Sequence, residues 1–264
     1  MNEEQNNLKN KVVVVAGGAG EIGESITKSF LAEGAVVIVP SRSAEKINAL
    51  KAAVEKAKAE QLVAVNVDVN TPVGLNELVR VIKNHGHVRV AVSALGSYWQ
   101  GPSSLDTPIE EIKRVLEGSF IPYISLTQAL FPLMTKGTHF FKLNGLLALH
   151  ALPHVGALSV TAAAQLAWTR MLIAEAGENG PWITEFVIDS LVRTRALQSL
   201  PDGYLNGADI ANEMLKIAKH ENEHSIRFLG KDPSGSTEVE TVPLPEQVPG
   251  RNISRLMKSF GDRG

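Results

Sequence analysis

An α/β domain built on a doubly wound parallel sheet of about seven strands is the fold class that the sequence predicts, and three observations predict it. Apolar runs of strand length alternate with helix-length stretches from residue 11 to about residue 230. Most of these runs are continuously apolar and rich in Val and Ile, as parallel strands buried on both faces require. A glycine-rich turn follows the first run and opens the first helical stretch. Strand and helix taken in turn give one layered sheet in a single domain.

The strands are expected at Val12–Ala16, Ala35–Pro40, Leu62–Val67, Val88–Ala94, His139–Leu143, Ile183–Ile188 and Ile226–Leu229. Helices are expected between them at Ile22–Gly34, Ala44–Ala59, Pro72–Asn84, Pro108–Lys136, Val155–Gly177 and Ala208–His220. Asp106 and Thr107 stand before Pro108, with Glu110 and Glu111 in the first turn, a pattern that predicts an N-cap there. Gly34 and Gly177 are the expected residues after their helices. Residues 1–10 read as a polar arm and 11–230 as the domain. After Gly230 the segment KDPSGSTEVETVPLPEQVPGRN holds four prolines and no period, so 231–264 is expected to be an extended tail. Ile253–Phe260 in that tail fits one short amphipathic helix.

Composition narrows the function. The 264 residues carry 26 Lys and Arg against 28 Asp and Glu, a net charge of −2, which argues against a nucleic-acid surface or a polybasic membrane anchor. Without cysteine there is no disulfide, no thiolate catalysis and no cysteine-held metal. The seven histidines form no H-E-x-x-H pattern, so no metal site is expected. The polar start MNEEQNNLKNK is unlike a signal peptide, and no apolar run approaches the roughly 18 residues of a membrane span. A cytoplasmic protein is the expectation.

The first strand runs into Ala16-Gly17-Gly18-Ala19-Gly20-Glu21-Ile22-Gly23 and then into a helix. Glycines there let the chain turn sharply and let backbone N–H groups approach a pyrophosphate, with the anion on the helix N-terminus. A glycine-rich turn without a ligand would have the same residues. Its position after the first strand and at the opening of the first helix favours the nucleotide.

Here the chain resembles the short-chain dehydrogenase/reductase superfamily. VVVVAGGAGEIGESI is similar to that superfamily's first turn in its GxxGxxG form, through Gly17, Gly20 and Gly23, with Ile22 entering the helix beside them. Against the TGxxxGxG form of other members, Ala16 stands for the threonine and Glu21 for the middle glycine. The resemblance implies a Rossmann-type fold and a nicotinamide dinucleotide as cofactor. Val39-Pro40-Ser41-Arg42-Ser43 ends the second strand with no acid for the ribose hydroxyls, and Arg42 suits a 2′-phosphate, which favours NADP(H) over NAD(H). A solvated loop arginine is the alternative. Asn66-Val67-Asp68-Val69 looks like the family's Asp-Val pair, in which the Asp68 carboxylate and the Val69 backbone would hold the adenine; Asp68 as a helix-capping acid is the alternative, with Thr71-Pro72 so near. Val92-Ser93-Ala94-Leu95-Gly96 stands where the family has Asn-Asn-Ala-Gly and keeps Gly96 near the ribose. Leu191-Val192-Arg193-Thr194 is similar to the segment whose threonine, here Thr194, bonds the nicotinamide carboxamide. Ala208-Asp209-Ile210-Ala211 resembles a recurrent helix start, although an Asp N-cap explains it equally well.

The resemblance also implies a Tyr-x-x-x-Lys pair, a serine about 13 residues upstream and an asparagine in the preceding helix, which together move a proton while hydride moves. The chain has three tyrosines, and Tyr98, Tyr123 and Tyr204 are followed four residues on by Pro102, Thr127 and Ala208. Thr169-Arg170-Met171-Leu172-Ile173-Ala174-Glu175 looks like a family segment that places Leu158 at the tyrosine and Ala162 at the lysine. Gly145 then falls at the serine, and Leu126-Thr127-Gln128-Ala129 places Ser119 at the asparagine. His150 and His154 are possible substitute acids or ordinary loop residues, Tyr98 and Trp99 follow the fourth strand, and Lys142 lies in the fifth with its face unset. The expected function is an NADP(H)-binding member without the usual catalytic set, a sensor, scaffold or inactive homologue. The alternatives are an NADP(H)-dependent oxidoreductase with another proton donor, acting on a small carbonyl or alcohol, and an interaction module that binds no nucleotide. Ile121–Met134 and Val155–Ile173 are strongly apolar, which, with the family's habit of pairing these helices, implies a homo-oligomer, with deep burial in the monomer as the alternative.

Overall fold

The computed structural model of the chain describes residues 7–96, 98–201, 203–231 and 235–242. The short helix expected at Ile253–Phe260 and most of the polar arm lie outside them. Strands β1 (Val12–Ala16), β2 (Val36–Ser41), β3 (Leu62–Asn66), β4 (Val88–Ser93), β5 (His139–Gly145), β6 (Trp182–Ile188), β9 (Ser225–Lys231) and β10 (Thr237–Val242) form one eight-stranded sheet. A separate two-stranded pair joins β7 (Val192–Arg193) to β8 (Leu205–Asn206). Six helices accompany them: α1 (Glu21–Ala32), α2 (Ala44–Ala53), α3 (Pro72–His85), α4 (Ile109–Leu130), α5 (Gly156–Glu175) and α6 (Gly207–His220).

The spatial order is β10-β9-β6-β5-β4-β1-β2-β3, and every pairing is parallel except β9 with β10. The chain therefore steps from β1 outward to β3, returns to β4 on the other side of β1, and steps outward again. The carboxyl ends of β1 and β4 frame the reversal point, where an open α/β sheet leaves a crevice.

Two apolar layers hold the helices. On one face Ile26, Phe30 and Leu31 of α1 and Ile210, Met214 and Ile217 of α6 pack over Val13, Val15, Phe141 and Phe186. On the other, Leu78 of α3, Tyr123 and Leu126 of α4 and Leu172 of α5 pack over Val14, Ala91 and Phe140. Val12–Ala16 is buried at every position, which is why its sequence shows no alternation.

Several expectations are corrected. The sheet does not end near residue 230: Thr237–Val242, inside the segment read as an extended tail, pairs antiparallel with β9. Glu238 and Glu240 alternate with Val239 there, the period-2 pattern that the neighbouring prolines obscured. The arm is not wholly polar in role, because Leu8 is buried in the α1/α6 layer. The expected cap by Asp106 and Thr107 does not form: Pro108 is the N-cap of α4 and has no side-chain bond. Thr107 Oγ1 instead donates to Ser103 O at 2.9 Å, closing a local turn. Helix α2 stops at Ala53 and gives way to a 3₁₀ stretch at Lys56–Gln61. Among the described residues α5 has the length and mean hydropathy, 1.2, of a membrane-crossing helix, against the expectation that none does. Its buried Ala162, Leu166 and Leu172 belong to the protein core.

Candidate nucleotide cleft

The cleft begins where β1 ends. Gly17 has φ 86°, and a Cβ there would lie 2.5 Å from the Ala94 carbonyl oxygen, so only glycine lets the loop cross the end of β4. Ala94 N donates to Ala16 O at 2.9 Å and fixes that crossing. A Cβ on Gly23 would lie 2.0 Å from Gly17 O, so the first turn of α1 presses directly on the loop. Gly20 is the N-cap of α1 and brings no side chain, leaving the first N–H groups without a side-chain cap. Thr27 Oγ1 donates to Gly18 O at 3.2 Å and anchors the loop from the helix.

The end of β2 supplies the second wall. Ser43 caps α2 by accepting from Lys46 N at 3.2 Å, and Ser43 N donates to Ser41 Oγ, also at 3.2 Å. This turn presents Arg42 and Lys46, both exposed and in no ion pair with a described residue. After β3, Asp68 Oδ1 accepts from Asn70 N at 2.9 Å, a local turn bond. The cap of α3 is Thr71, which accepts from Gly74 N at 3.0 Å, with Pro72 at the helix start. The capping alternative for Asp68 is thereby excluded. Asn206, not Asp209, caps α6; Asp209 completes the box by accepting from Asn206 N at 2.8 Å.

A cleft of about 550 Å³ lies between these walls. Gly17, Gly20, Arg42, Asp68, Val69 and Gly96 all line it. Ile22, Gly23 and Thr194 do not: Ile22 packs against the core, Gly23 braces the loop, and Thr194 opens a turn by accepting from Leu197 N at 3.1 Å. Sequence reasoning missed Lys46, Asn70, Arg114, Glu117, Gly118 and Pro122, which also line the cleft. Lys46 sits one helical turn beyond Arg42, a spacing visible in the sequence; the α4 residues carry no comparable signal. Pro122 has no N–H, so the cleft-lining Gly118 carbonyl lacks its usual helical donor.

Glu21, the acid at a glycine position, turns toward the segment after β7. Its Oε2 accepts from Ala196 N at 3.3 Å, and Glu24 one turn later pairs with Arg195 at 3.1 Å. Both carboxylates stand at the N-terminal end of α1, where negative charge favours the helix.

Beyond the cleft, Leu158 is half-buried on α5 and Ala162 is buried, its carbonyl accepting from Asn144 Nδ2 at 3.0 Å. Gly145 ends β5. Ser119 is buried next to cleft-lining Gly118, and its carbonyl accepts from Gln165 Nε2 at 3.0 Å. Tyr123 is wholly buried and bonds Thr169 Oγ1 at 2.8 Å; burial, followed by the charge of Glu185, holds its phenol well above the ordinary range. Tyr98 is exposed and Tyr204 half-buried. Trp99 is buried against Val115 and Ala157 and donates to Glu111 Oε2 at 3.2 Å. His150 and His154 are exposed on the loop before α5, and His154 O accepts from Gly101 N at 2.9 Å.

The sequence model of the short chain dehydrogenase family matches residues 11–184. Dehydrogenase/reductase SDR family member 7B of Danio rerio is 27% identical over 182 residues, 66% of this chain and 59% of that protein. Meso-2,3-butanediol dehydrogenase of Serratia marcescens is 31% identical over 107 residues, 40% of this chain and 41% of that protein. The chain thus spans less than two thirds of either relative. Among solved structures, a short chain dehydrogenase from Burkholderia cenocepacia in complex with NADP superposes with a TM-score of 0.70 at 23% identity, covering 82% of this chain and 94% of that one. A Serratia marcescens short-chain dehydrogenase/reductase gives a TM-score of 0.70 at 20% identity, covering 80% of this chain and 91% of that one. Structures at that identity share the fold, while the match across residues 11–184 carries the family. The chain belongs to the short chain dehydrogenase family.

Proposed function

We propose that this protein binds a nicotinamide dinucleotide, NADP(H) in preference to NAD(H), and does not run the family's usual proton transfer. One observation carries the reading. The cleft at the sheet's reversal point gathers six of the nine residues expected to hold the dinucleotide, while the α5 positions that would supply phenol and ammonium hold Leu158 and Ala162. Gly17 and Gly20 leave room for a pyrophosphate at the α1 N-terminus, and Asp68 and Val69 flank the place of the adenine. Arg42 and Lys46 supply positive charge for a 2′-phosphate, and Val39–Ser43, where β2 ends, holds no acid. A nicotinamide ring bound here would supply or accept hydride. The chain's residues would orient it, and neither leucine nor alanine would hold or release a proton.

In this reading the protein is a dinucleotide sensor, a scaffold or an inactive counterpart of an active homologue, acting in the cytoplasm. Ile121, Val160 and Met171, exposed on α4 and α5, support pairing of two copies through those helices. Nucleotide binding is tested by thermal unfolding with NADPH and NADH, because a ligand that binds the native state raises apparent stability. The expected result is a larger rise with NADPH. No rise with either at millimolar concentration overturns the reading and leaves an interaction module.

One observation favours a second reading, an oxidoreductase with another proton donor. His154 has φ 68°, a left-handed conformation that costs a non-glycine residue on the order of 1 kcal/mol, on the loop before α5. Turnover of a carbonyl and alcohol panel that is lost in His154→Gln would establish it; no turnover by the parent protein would exclude it.

A further inference from the structure

The interior behind the cleft floor is charged. Lys142 is wholly buried on the α4/α5 side of β5; its Nζ donates to the Leu95 carbonyl at 3.4 Å and lies 4.9 Å from the centre of the Tyr123 ring. In the β5–β6 register Lys142 stands opposite Glu185, which is also wholly buried and accepts from Asn144 Nδ2 at 2.6 Å. An ammonium offers three donors, yet among the described residues Leu95 O is the one acceptor at hydrogen-bond distance from it. On the same side of the sheet, Ser93 Oγ, Ser119 Oγ and Glu185 Oε2 are buried with no hydrogen-bond partner among the described residues. Taking two ions out of water costs several kcal/mol each, so so incompletely bonded a pair is weak as a stabilising device. Leu95 joins this interior to the surface, because the residue whose carbonyl meets Lys142 also lines the cleft.

We propose that Lys142 is a positioning residue for the dinucleotide: it holds the Leu95–Gly96 segment from beneath, and its proton is linked to occupancy of the cleft. The inference rests on the dinucleotide reading above and extends it. Through an interior of low dielectric, a ligand carrying several negative charges stabilises a nearby ammonium far more than it would through water. Linkage is reciprocal, so if the ligand tightens the hold on the proton, loss of the proton weakens the hold on the ligand by the same factor.

The groups facing Lys142 can be named from each element packed on it. Glu185 faces it from β6 and Tyr123 from α4, while β4 brings the uncharged Ser93 and the segment after β4 brings the Leu95 carbonyl. From α5, Thr169 lies beside Glu185 and Arg170 acts on it by charge. Burial pulls Lys142 down to about 8, with Glu185 pulling it partly back. The sign follows: the ligand raises that value, so between the free and bound values the complex holds a proton that the free protein lacks. Affinity is constant below the window and falls as pH rises through it.

The test uses the full chain with NADPH as the probe, titrated by fluorescence from about pH 7 to about pH 9.5, in the parent, Lys142→Met and Glu185→Gln proteins. Proton uptake at about pH 8.5 is read by calorimetry in buffers of different ionisation enthalpy. The parent should lose affinity above about pH 8, by up to about tenfold per unit, and take up protons on binding. Lys142→Met should show a flat profile and no uptake. Glu185→Gln, which removes the charge that raises the Lys142 value, should begin its fall at lower pH. Identical profiles in parent and Lys142→Met overturn the proposal. If Lys142→Met does not fold, an unmoved fall in Glu185→Gln overturns it. NADPH binding with no pH dependence overturns this inference alone, whereas no binding at any pH overturns the dinucleotide reading with it.

Discussion

The two faces of the sheet are built from the same strands and differ in what they bury. Under α1 and α6 the centre of the layer is hydrocarbon, with Phe30, Phe141, Phe186 and Met214 in it, and its buried charges, Arg227 of β9 and Glu213 of α6, meet each other at 3.1 Å. Buried in it, His139 stacks on Phe141 with ring centres 5.8 Å apart and, among the described residues, has no hydrogen-bond partner at either ring nitrogen. Under α4 and α5 the layer holds Lys142, Glu185, Asn144, Gln165, Thr169 and the hydroxyl of Tyr123. A dry face maximises burial, while a polar face gives up stability to fix side chains in defined places. The second face carries the helix whose Gly118 and Pro122 line the cleft, so polar burial lies on the side where groups need positioning.

This contrast is open to breakage. The largest effects should come from truncation: Phe30→Ala is expected to cost about 3–5 kcal/mol in denaturant unfolding, because a dry layer leaves a cavity. Glu185→Ala should cost a similar 3–5 kcal/mol or so by stranding a buried ammonium, yet the double change Lys142→Met with Glu185→Leu should be near neutral. If the double variant is as unstable as Glu185→Ala, the polar face contributes stability after all.

Acid should find the dry face first. Burial, with the charge of Arg89, pulls His139 down from its ordinary value of 6.5 to about 3. The unfolded chain then binds a proton that the fold refuses, so stability is full above 6.5 and falls as pH drops through that window, by about 2 kcal/mol at about pH 5. His139→Phe should flatten that limb in a chemical-denaturation series; an unchanged limb would move the acid sensitivity elsewhere.

Smaller effects belong to the cleft. Arg42→Ala should weaken NADPH binding by about tenfold, near 1.4 kcal/mol, and leave NADH unchanged, as read by fluorescence titration. Equal losses for both would assign Arg42 to something other than a 2′-phosphate. Glu21→Gly should tighten NADPH binding by about two- to fivefold, since the carboxylate stands at the helix N-terminus where phosphates would lie, though it is held toward Ala196.

Much of the fold and part of the cleft are legible in the sequence. Continuous apolar strands and intervening helices gave the doubly wound order, since burial on both faces leaves its mark directly in composition. The first turn was legible because Gly17 and Gly23 are required by close backbone contact, a constraint that only glycine meets. The eighth strand was not, because Thr237–Val242 is an exposed edge among prolines and has little apolar signal. Capping was misread where proline and two acids suggested Asp106 and Thr107, because local turn bonds took those side chains instead. The polar interior was invisible: Lys142 in a strand has two faces open to it, and only the register with Glu185 decides what it meets. The role of α4 in the cleft arises from helix placement across the sheet, which no short motif encodes.

The antiparallel β10 has a practical consequence. Its last residue, Val242, pairs with Ile226 near the start of β9, at the end of the sheet opposite the carboxyl ends that frame the cleft. At roughly 3.4 Å per residue, the six residues of β10 carry the chain about 20 Å away from that rim. A dye or affinity handle joined just after residue 242 would therefore start on the far side of the molecule from the cleft, leaving the mouth open for ligand titrations.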